Sequence, residues 1–191
     1  MFNLVEFRDC LERAVSLLRT CEIRFLITGG AAAIAYGDPR TTQDIDLVIE
    51  GIAIQERLEL FLAQLRQEKF LYNEQTVRTA VASRRQFQLL DTGSSLKLDL
   101  YPRELVPGAL DRAVQVEIMP GLTLPVASRP DLVLSKLIWI SKGSHKSRRD
   151  LRQIMLRVNT AETATIHSLA EQVGLRVLLD ETLSEIDEVE T

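Results

Sequence analysis

The sequence predicts an α+β fold: a small sheet with flanking helices over residues 1–127, followed by a C-terminal helical part over residues 128–191 that packs on that core. Three observations carry this reading. Stretches of period-2 apolar alternation and stretches of helical spacing interleave as far as Ala127, only helical spacing follows Ser128, and no Gly/Ser-rich linker separates the two parts. With 191 residues, 46% of them apolar, the chain has material for a packed core and is not disordered throughout.

Phe2 to Thr20 places Leu4, Val5, Phe7, Leu11, Val15 and Leu18 at helical spacing with charges between them, which predicts an amphipathic helix lying on a sheet. Ile23 to Thr28 is a short apolar, β-branched run that ends at Gly29-Gly30. The small residues Ala31 to Tyr36 follow and then Gly37-Asp38-Pro39, so the order is strand, tight glycine turn, short helix. Asp44 to Glu50 alternates, with Asp44, Asp46, Val48 and Glu50 on one face and Ile45, Leu47 and Ile49 on the other, as a strand covered on one side requires. Ala53 to Phe70 returns to helical spacing. Gln86–Leu90 and Leu96–Tyr101 flank Asp91-Thr92-Gly93-Ser94-Ser95 as a hairpin, and Val114–Ile118 and Leu122–Val126 are further strands joined across Pro120-Gly121. Ser128 with Asp131, and Asn159 with Glu162, have the spacing of capping boxes ahead of helices, the second of which stops at Gly174.

Charge and composition narrow the function. The chain has 23 basic and 27 acidic residues, a net charge of −4, which argues against a protein coated in positive charge for nonspecific nucleic-acid or membrane binding and leaves room for a local basic face. No window approaches the ~18 apolar residues of a spanning helix. Glu6, Arg8, Asp9 and Glu12 interrupt the N-terminal apolar pattern where a signal peptide would be uncharged, so a cytoplasmic protein without membrane partners is expected. Cys10 and Cys21 are too few for a disulfide framework or a thiolate zinc site, and His145 and His167 are far apart, so any metal is held mainly by carboxylates.

Asp44 and Asp46, two apart on one strand, project from the same face with Cα atoms roughly 6–7 Å apart. Asp99 lies on a second strand, where Lys97, Asp99 and Tyr101 face away from Leu98 and Leu100. If the two strands are neighbours, three carboxylates converge. Hard oxygen ligands of this kind suit Mg²⁺ or Mn²⁺, and mutual repulsion makes the cluster costly without a cation. Gly29 and Gly30 join a strand to a helix start, where free backbone N–H groups and the missing Cβ let a phosphate approach.

Leu26-Ile27-Thr28-Gly29-Gly30, the Ala-rich segment behind it, Arg40-Thr41-Thr42-Gln43-Asp44-Ile45-Asp46-Leu47 and the later Asp99 together resemble the DNA polymerase β-type nucleotidyltransferase superfamily. The Arg-x-Thr-x-Asp-x-Asp form is similar to its AbiEii-like branch of phage-defence and toxin–antitoxin proteins. Leu124 to Ser128, Asp131-Leu132, Lys136-Leu137, Arg149-Asp150-Leu151 and Ile154 extend the resemblance, which covers about Ile23 to Leu156.

The resemblance implies a small mixed sheet and a two-metal transfer of a nucleoside monophosphate from an NTP, with pyrophosphate leaving. Asp44, Asp46 and Asp99 would hold Mg²⁺ or Mn²⁺, with Asp99 also helping to activate the acceptor hydroxyl. Gly29 and Gly30 would cradle the NTP phosphates, Thr28 and Thr42 would add hydroxyl contacts, and Lys136 would reach the triphosphate. The expected acceptor is RNA, tRNA first, or a protein hydroxyl, in a toxin with a cognate antitoxin. Other readings stand beside it: a small-molecule enzyme of the aminoglycoside-modifying kind, or a nucleotide-binding or antitoxin-type module without turnover. Individual residues also have plainer readings. Lys136 could lay its stem along the core with its head in water, and Asp150 could cap a helix from Ser147-Arg148-Arg149-Asp150. Arg148, Arg149 and Arg152, in the basic window from Lys142 to Arg157, are either contacts for acceptor phosphates or a solvated helix face. Arg84-Arg85 is a second small basic spot, and Trp139 is expected in the core. Asp180–Thr191, with six acidic residues and no basic one, reads as a solvated helix end.

Overall fold

The computed structural model describes residues 3–36 and 44–185. The chain divides into two compact units, Met1–Ala127 and Ser128–Thr191.

The first unit opens with α1 (Leu4–Thr20), capped by the Asn3 side chain, which accepts from the Val5 and Glu6 amides. Its buried stripe is Phe7, Cys10, Leu11, Ala14, Val15, Leu17 and Leu18. Leu4 and Val5, expected on that stripe, are exposed. They belong to the first turn, ahead of the point where the helix meets α4 (Leu58–Leu65). Arg13 carries α1 to the sheet, reaching Asp91 at 2.6 Å and lying over the Phe70 ring.

β1 (Phe25–Thr28) runs directly into α2 (Gly29–Ala35), so the two glycines are the first turn of the helix rather than a turn ahead of it. β2 (Asp44–Ile49) follows. The helix expected over Ala53 to Phe70 is two helices, α3 (Gly51–Glu56) and α4, broken at Arg57, and Phe70 belongs to the two-residue strand β3 (Phe70–Leu71). α5 (Glu74–Ala82) is capped by Asn73. The two expected hairpins are present, as β4 (Phe87–Asp91) with β5 (Lys97–Tyr101) and as β6 (Val114–Met119) with β7 (Leu122–Val126).

Among the described residues, seven strands form one mixed sheet in the order β3-β4-β5-β2-β1-β7-β6. β2 pairs parallel with β5 and β1 parallel with β7; β1 with β2 and the remaining neighbours are antiparallel. The site-bearing strands β1, β2 and β5 are therefore adjacent and central. Ile27, Ile45, Leu47, Ile49, Leu98 and Leu100 fill the core face, and Phe61 on α4 meets Phe87 on β4 edge to face at 6.2 Å. An aromatic pair in that geometry contributes about 0.5–1.5 kcal/mol beyond its buried area. Tyr36, the α2 C-cap, donates to the Ala127 carbonyl at 2.7 Å and ties the helix end to the chain leaving β7.

The second unit consists, among the described residues, of α6 (Arg129–Ser141), α7 (His145–Met155), α8 (Thr160–Gln172) and α9 (Arg176–Ser184). Asn159 and Glu162 form the expected capping box. Ser128 caps α6 by accepting from the Asp131 amide, but its own hydroxyl donates to the Asp131 carboxylate at 2.6 Å, since an aspartate side chain is one methylene shorter than the usual Glu of the box. No helix among the described residues is long and apolar enough to cross a membrane.

Candidate active site

Strand alternation decides which side chains reach the site. On β2 and β5, Ile45, Leu47, Leu98 and Leu100 are buried, Asp44, Asp46, Asp99 and Tyr101 are half-buried, and Lys97 is exposed. Val48 departs from the expected one-sided strand, because it is buried although it shares the aspartate face. The parallel register sets Asp44 opposite Lys97, Asp46 opposite Asp99 and Val48 opposite Tyr101. β1 continues the row from the other side, with Thr28 opposite Asp46. Opposed residues on adjacent strands share a face at about 5 Å, so Thr28, Asp46 and Asp99 form one line built from three distant segments.

Each carboxylate on this face has a different neighbour. The Lys97 ammonium lies 3.0 Å from Asp44 Oδ1, with both side chains about half exposed. That hydrogen bond, with the charges of Asp44, Asp99 and Asp46, holds Lys97 above the ordinary lysine range. Tyr101 donates its hydroxyl to Asp46 Oδ1 at 3.2 Å. Burial pushes the Tyr101 phenol well above the usual tyrosine range, and the charges of Asp46 and Asp99 add to the shift, so it remains a protonated donor. Asp99 Oδ1 is buried and accepts no hydrogen bond from the described residues.

Gly29 completes the arrangement. Its φ of +63° is in the left-handed region, and a Cβ built there would stand 1.9 Å from Asp46 Oδ2. The backbone at the start of α2 thus presses on the Asp46 carboxylate, which only glycine permits. Gly30 is buried beside it, and Thr28 is buried at the N-cap position without donating or accepting a side-chain capping bond. Thr42, with Arg40, Thr41, Gln43 and Gly37, lies outside the described residues.

The donor set suits a hard divalent cation, since three carboxylates share one face and a buried oxygen of one has no donor. An unmet buried acceptor costs about 1–3 kcal/mol, which a bound cation would relieve. As the side chains stand, no three His, Cys, Asp or Glu groups among the described residues are gathered into a metal-binding cluster. Asp44 is turned to Lys97 and Asp46 to Tyr101.

The other anticipated site residues belong to the second unit. Lys136 is buried on α6, and its ammonium binds Asp150 Oδ2 on α7 at 2.7 Å. Its head is therefore in an ion pair rather than in water. Asp150 is inside α7, whose N-cap is Ser144, so Ser147-Arg148-Arg149-Asp150 is no capping box. Arg148 and Arg152 both bind the Glu185 carboxylate, while Arg149 is exposed. Trp139, expected in the core, is half-buried with the Lys142 ammonium 4.9 Å from its ring centre.

Lys97 and Tyr101 were missed as site residues by sequence reasoning, although each stands two positions from Asp99 on the same strand face. That spacing was the available signal. The contact of Gly29 with Asp46 had none, because it depends on which strand neighbours which.

Residues 16–176 match the family model described as nucleotidyl transferase AbiEii toxin, type IV TA system. No curated protein sequence matches the chain. Similar solved structures include the following three. An antigenic nucleotidyltransferase-like protein from Paracoccidioides brasiliensis is 19% identical, with 95% of this chain and 94% of that one covered and a TM-score of 0.49. The antibiotic-resistance factor ANT(2'')-Ia is 13% identical, with coverage of 90% and 89% and a TM-score of 0.48. The lincomycin-bound lincosamide antibiotic adenylyltransferase LnuA is 13% identical, with coverage of 83% and 93% and a TM-score of 0.45.

Proposed function

Because the chain belongs to the AbiEii nucleotidyl transferase toxin family, we propose that it moves a nucleoside monophosphate from an NTP to an acceptor hydroxyl by metal-dependent catalysis in its first unit. The observation that carries the reading is the row Thr28–Asp46–Asp99 across three central strands, with a buried Asp99 oxygen that accepts no hydrogen bond from the described residues. Asp44, Asp46 and Asp99 are the ligands for Mg²⁺ or Mn²⁺. When bound, such a cation supplies Lewis-acid polarisation of the α-phosphate and neutralises charge on the leaving oxygen.

The chain's own groups do the rest. Amides of Gly29 and Gly30 hold phosphate oxygens, Thr28 and Thr42 add hydroxyl contacts, and Tyr101 keeps Asp46 oriented through its hydrogen bond. Asp99 accepts the proton of the acceptor hydroxyl. The acceptor oxygen forms a bond to the α-phosphorus, the bond to the bridging oxygen breaks, and pyrophosphate leaves.

The acceptor in this reading is RNA, supported by the exposed cations Lys142, Lys146, Arg149 and Arg157 in and beside α7. The family description supports a toxin role with a cognate antitoxin. Incubation of the pure protein with each α-labelled NTP, Mg²⁺ and total host RNA tests the whole reading. Labelled RNA is the expected result. A labelled polypeptide or small hydroxylated compound would replace the acceptor and keep the chemistry, and no label from any NTP in any fraction would overturn the reading.

A further inference from the structure

Lys97 is the one cation among the described residues that the β2–β5 register sets directly opposite a carboxylate of this face. Its ammonium is 3.0 Å from Asp44 Oδ1. An ammonium and a divalent cation cannot both stand against one carboxylate oxygen at bonding distance, since like charges that close repel by several kcal/mol even in a partly hydrated setting. The Lys97 and Asp44 side chains are both about half exposed, so the pair is replaceable: an ion pair of that exposure is worth little, and a cation that takes the place of the ammonium still neutralises Asp44 Oδ1, which is itself buried. The register also keeps the ammonium close once it lets go, because Lys97 and Asp99 are on the same strand face, two residues apart.

We propose that Lys97 is a positioning residue that holds Asp44 as an internal counter-cation and so keeps the affinity of the site for a free divalent cation low. The inference rests on the metal-dependent reading above. An NTP brings its own negative charge, to which the released ammonium can turn, so cation and nucleotide bind together more strongly than either does alone. Metal and nucleotide affinities are then coupled through one side chain, and the coupling is reciprocal. This also accounts for the absence of a gathered carboxylate cluster among the described residues, since Asp44 is turned across the β2–β5 pair to Lys97.

The test is Mn²⁺ binding to the full chain, followed by electron paramagnetic resonance with and without a non-hydrolysable NTP analogue. Four proteins are compared: wild type, Lys97→Met, Lys97→Gln and Lys97→Arg, each checked for folding by circular dichroism. The expected result is that both neutral variants bind Mn²⁺ alone about tenfold more tightly than wild type, as removal of one nearby positive charge predicts. The tightening that the analogue produces in wild type should shrink in them by a similar factor, and Lys97→Arg should behave as wild type. A lysine that only stabilises the strand would change melting temperature and leave the coupling alone. Equal Mn²⁺ affinity and equal coupling in wild type and both neutral variants would overturn the proposal while leaving the metal site in place. Absence of Mn²⁺ binding from every protein, with or without the analogue, would overturn the metal-dependent reading and this proposal with it.

Discussion

Tyr101 and Asp46 are joined across the parallel β2–β5 pair, with the phenol hydroxyl donating to Asp46 Oδ1 at 3.2 Å. Asp46 itself is opposite Asp99, so the bond reaches diagonally across one step of the register. Removing only the hydroxyl isolates that contact. Tyr101→Phe is expected to lower kcat by about five- to thirtyfold, the equivalent of one net hydrogen bond of about 1–2 kcal/mol, with little change in KM for the NTP. Steady-state kinetics separates the two. A KM increase with constant kcat would make Tyr101 a contact for substrate instead of a support for Asp46.

Glycine at position 29 carries two demands that can be separated. Gly29→Ala places a Cβ in a left-handed backbone and against the Asp46 carboxylate, whereas Gly174→Ala meets a similar φ of +69° with nothing within 4 Å. Backbone strain alone costs about 1 kcal/mol. Gly174→Ala should therefore lose about that much in urea denaturation and Gly29→Ala more, and only Gly29→Ala should also lose transfer activity, by more than tenfold. Retained activity in Gly29→Ala would show that Asp46 can move without consequence.

Asp44→Asn and Asp46→Asn are expected to abolish transfer by orders of magnitude while leaving the fold intact, because each deletes a half-buried ligand rather than a core contact. Asp44→Asn gives up a half-exposed ion pair with Lys97, whose loss by itself should move the melting temperature by no more than a degree or two. Product assays with labelled NTP and differential scanning fluorimetry check the two halves of this expectation.

In the second unit, the Lys136–Asp150 pair is buried on both sides. Removing either partner takes the opposite charge away from a buried group, at a cost of up to about 3–5 kcal/mol, whereas replacing both by apolar residues is close to neutral. Lys136→Met should therefore be strongly destabilised and Lys136→Met/Asp150→Leu should recover most of the loss in a denaturant titration.

For the acceptor, Arg148, Arg149 and Arg152 are not equivalent. Two of them share Glu185, and Arg149 is exposed. Arg149→Gln should raise KM for RNA and reduce the salt slope by about one, because one fewer phosphate is neutralised, while Arg148→Gln should do less. The ranking can be read from KM at two salt concentrations. A reversed order would mean that RNA displaces Glu185.

Much of this geometry was legible in the sequence, and the divide follows the range of the interactions. Period-2 alternation in Asp44–Glu50 and Leu96–Tyr101 identified the strand faces, because a strand's two sides are a local property. The parallel neighbourhood of β2 and β5 could only be assumed, since five further elements intervene between them. β3 has two residues, too few for a periodic signal, and α5 went unread with it. The break at Arg57 was hidden because apolar spacing continues from Ile54 to Leu65 across it. The partnership of Lys136 with Asp150 joins two helices, and neither residue alone announces the other.

From Asp46 to Val48, β2 is paired on both edges, to β1 and to β5. Amides in such a ladder exchange with solvent only when the whole sheet comes apart, whereas the two-residue β3 at one margin and β6 at the other can open separately. The peptide frame that aims the carboxylates is thus the last part of the first unit to lose protection. Fluctuations that admit or release a bulky acceptor can occur at the margins of the sheet while the spacing between Asp46 and Asp99 stays fixed.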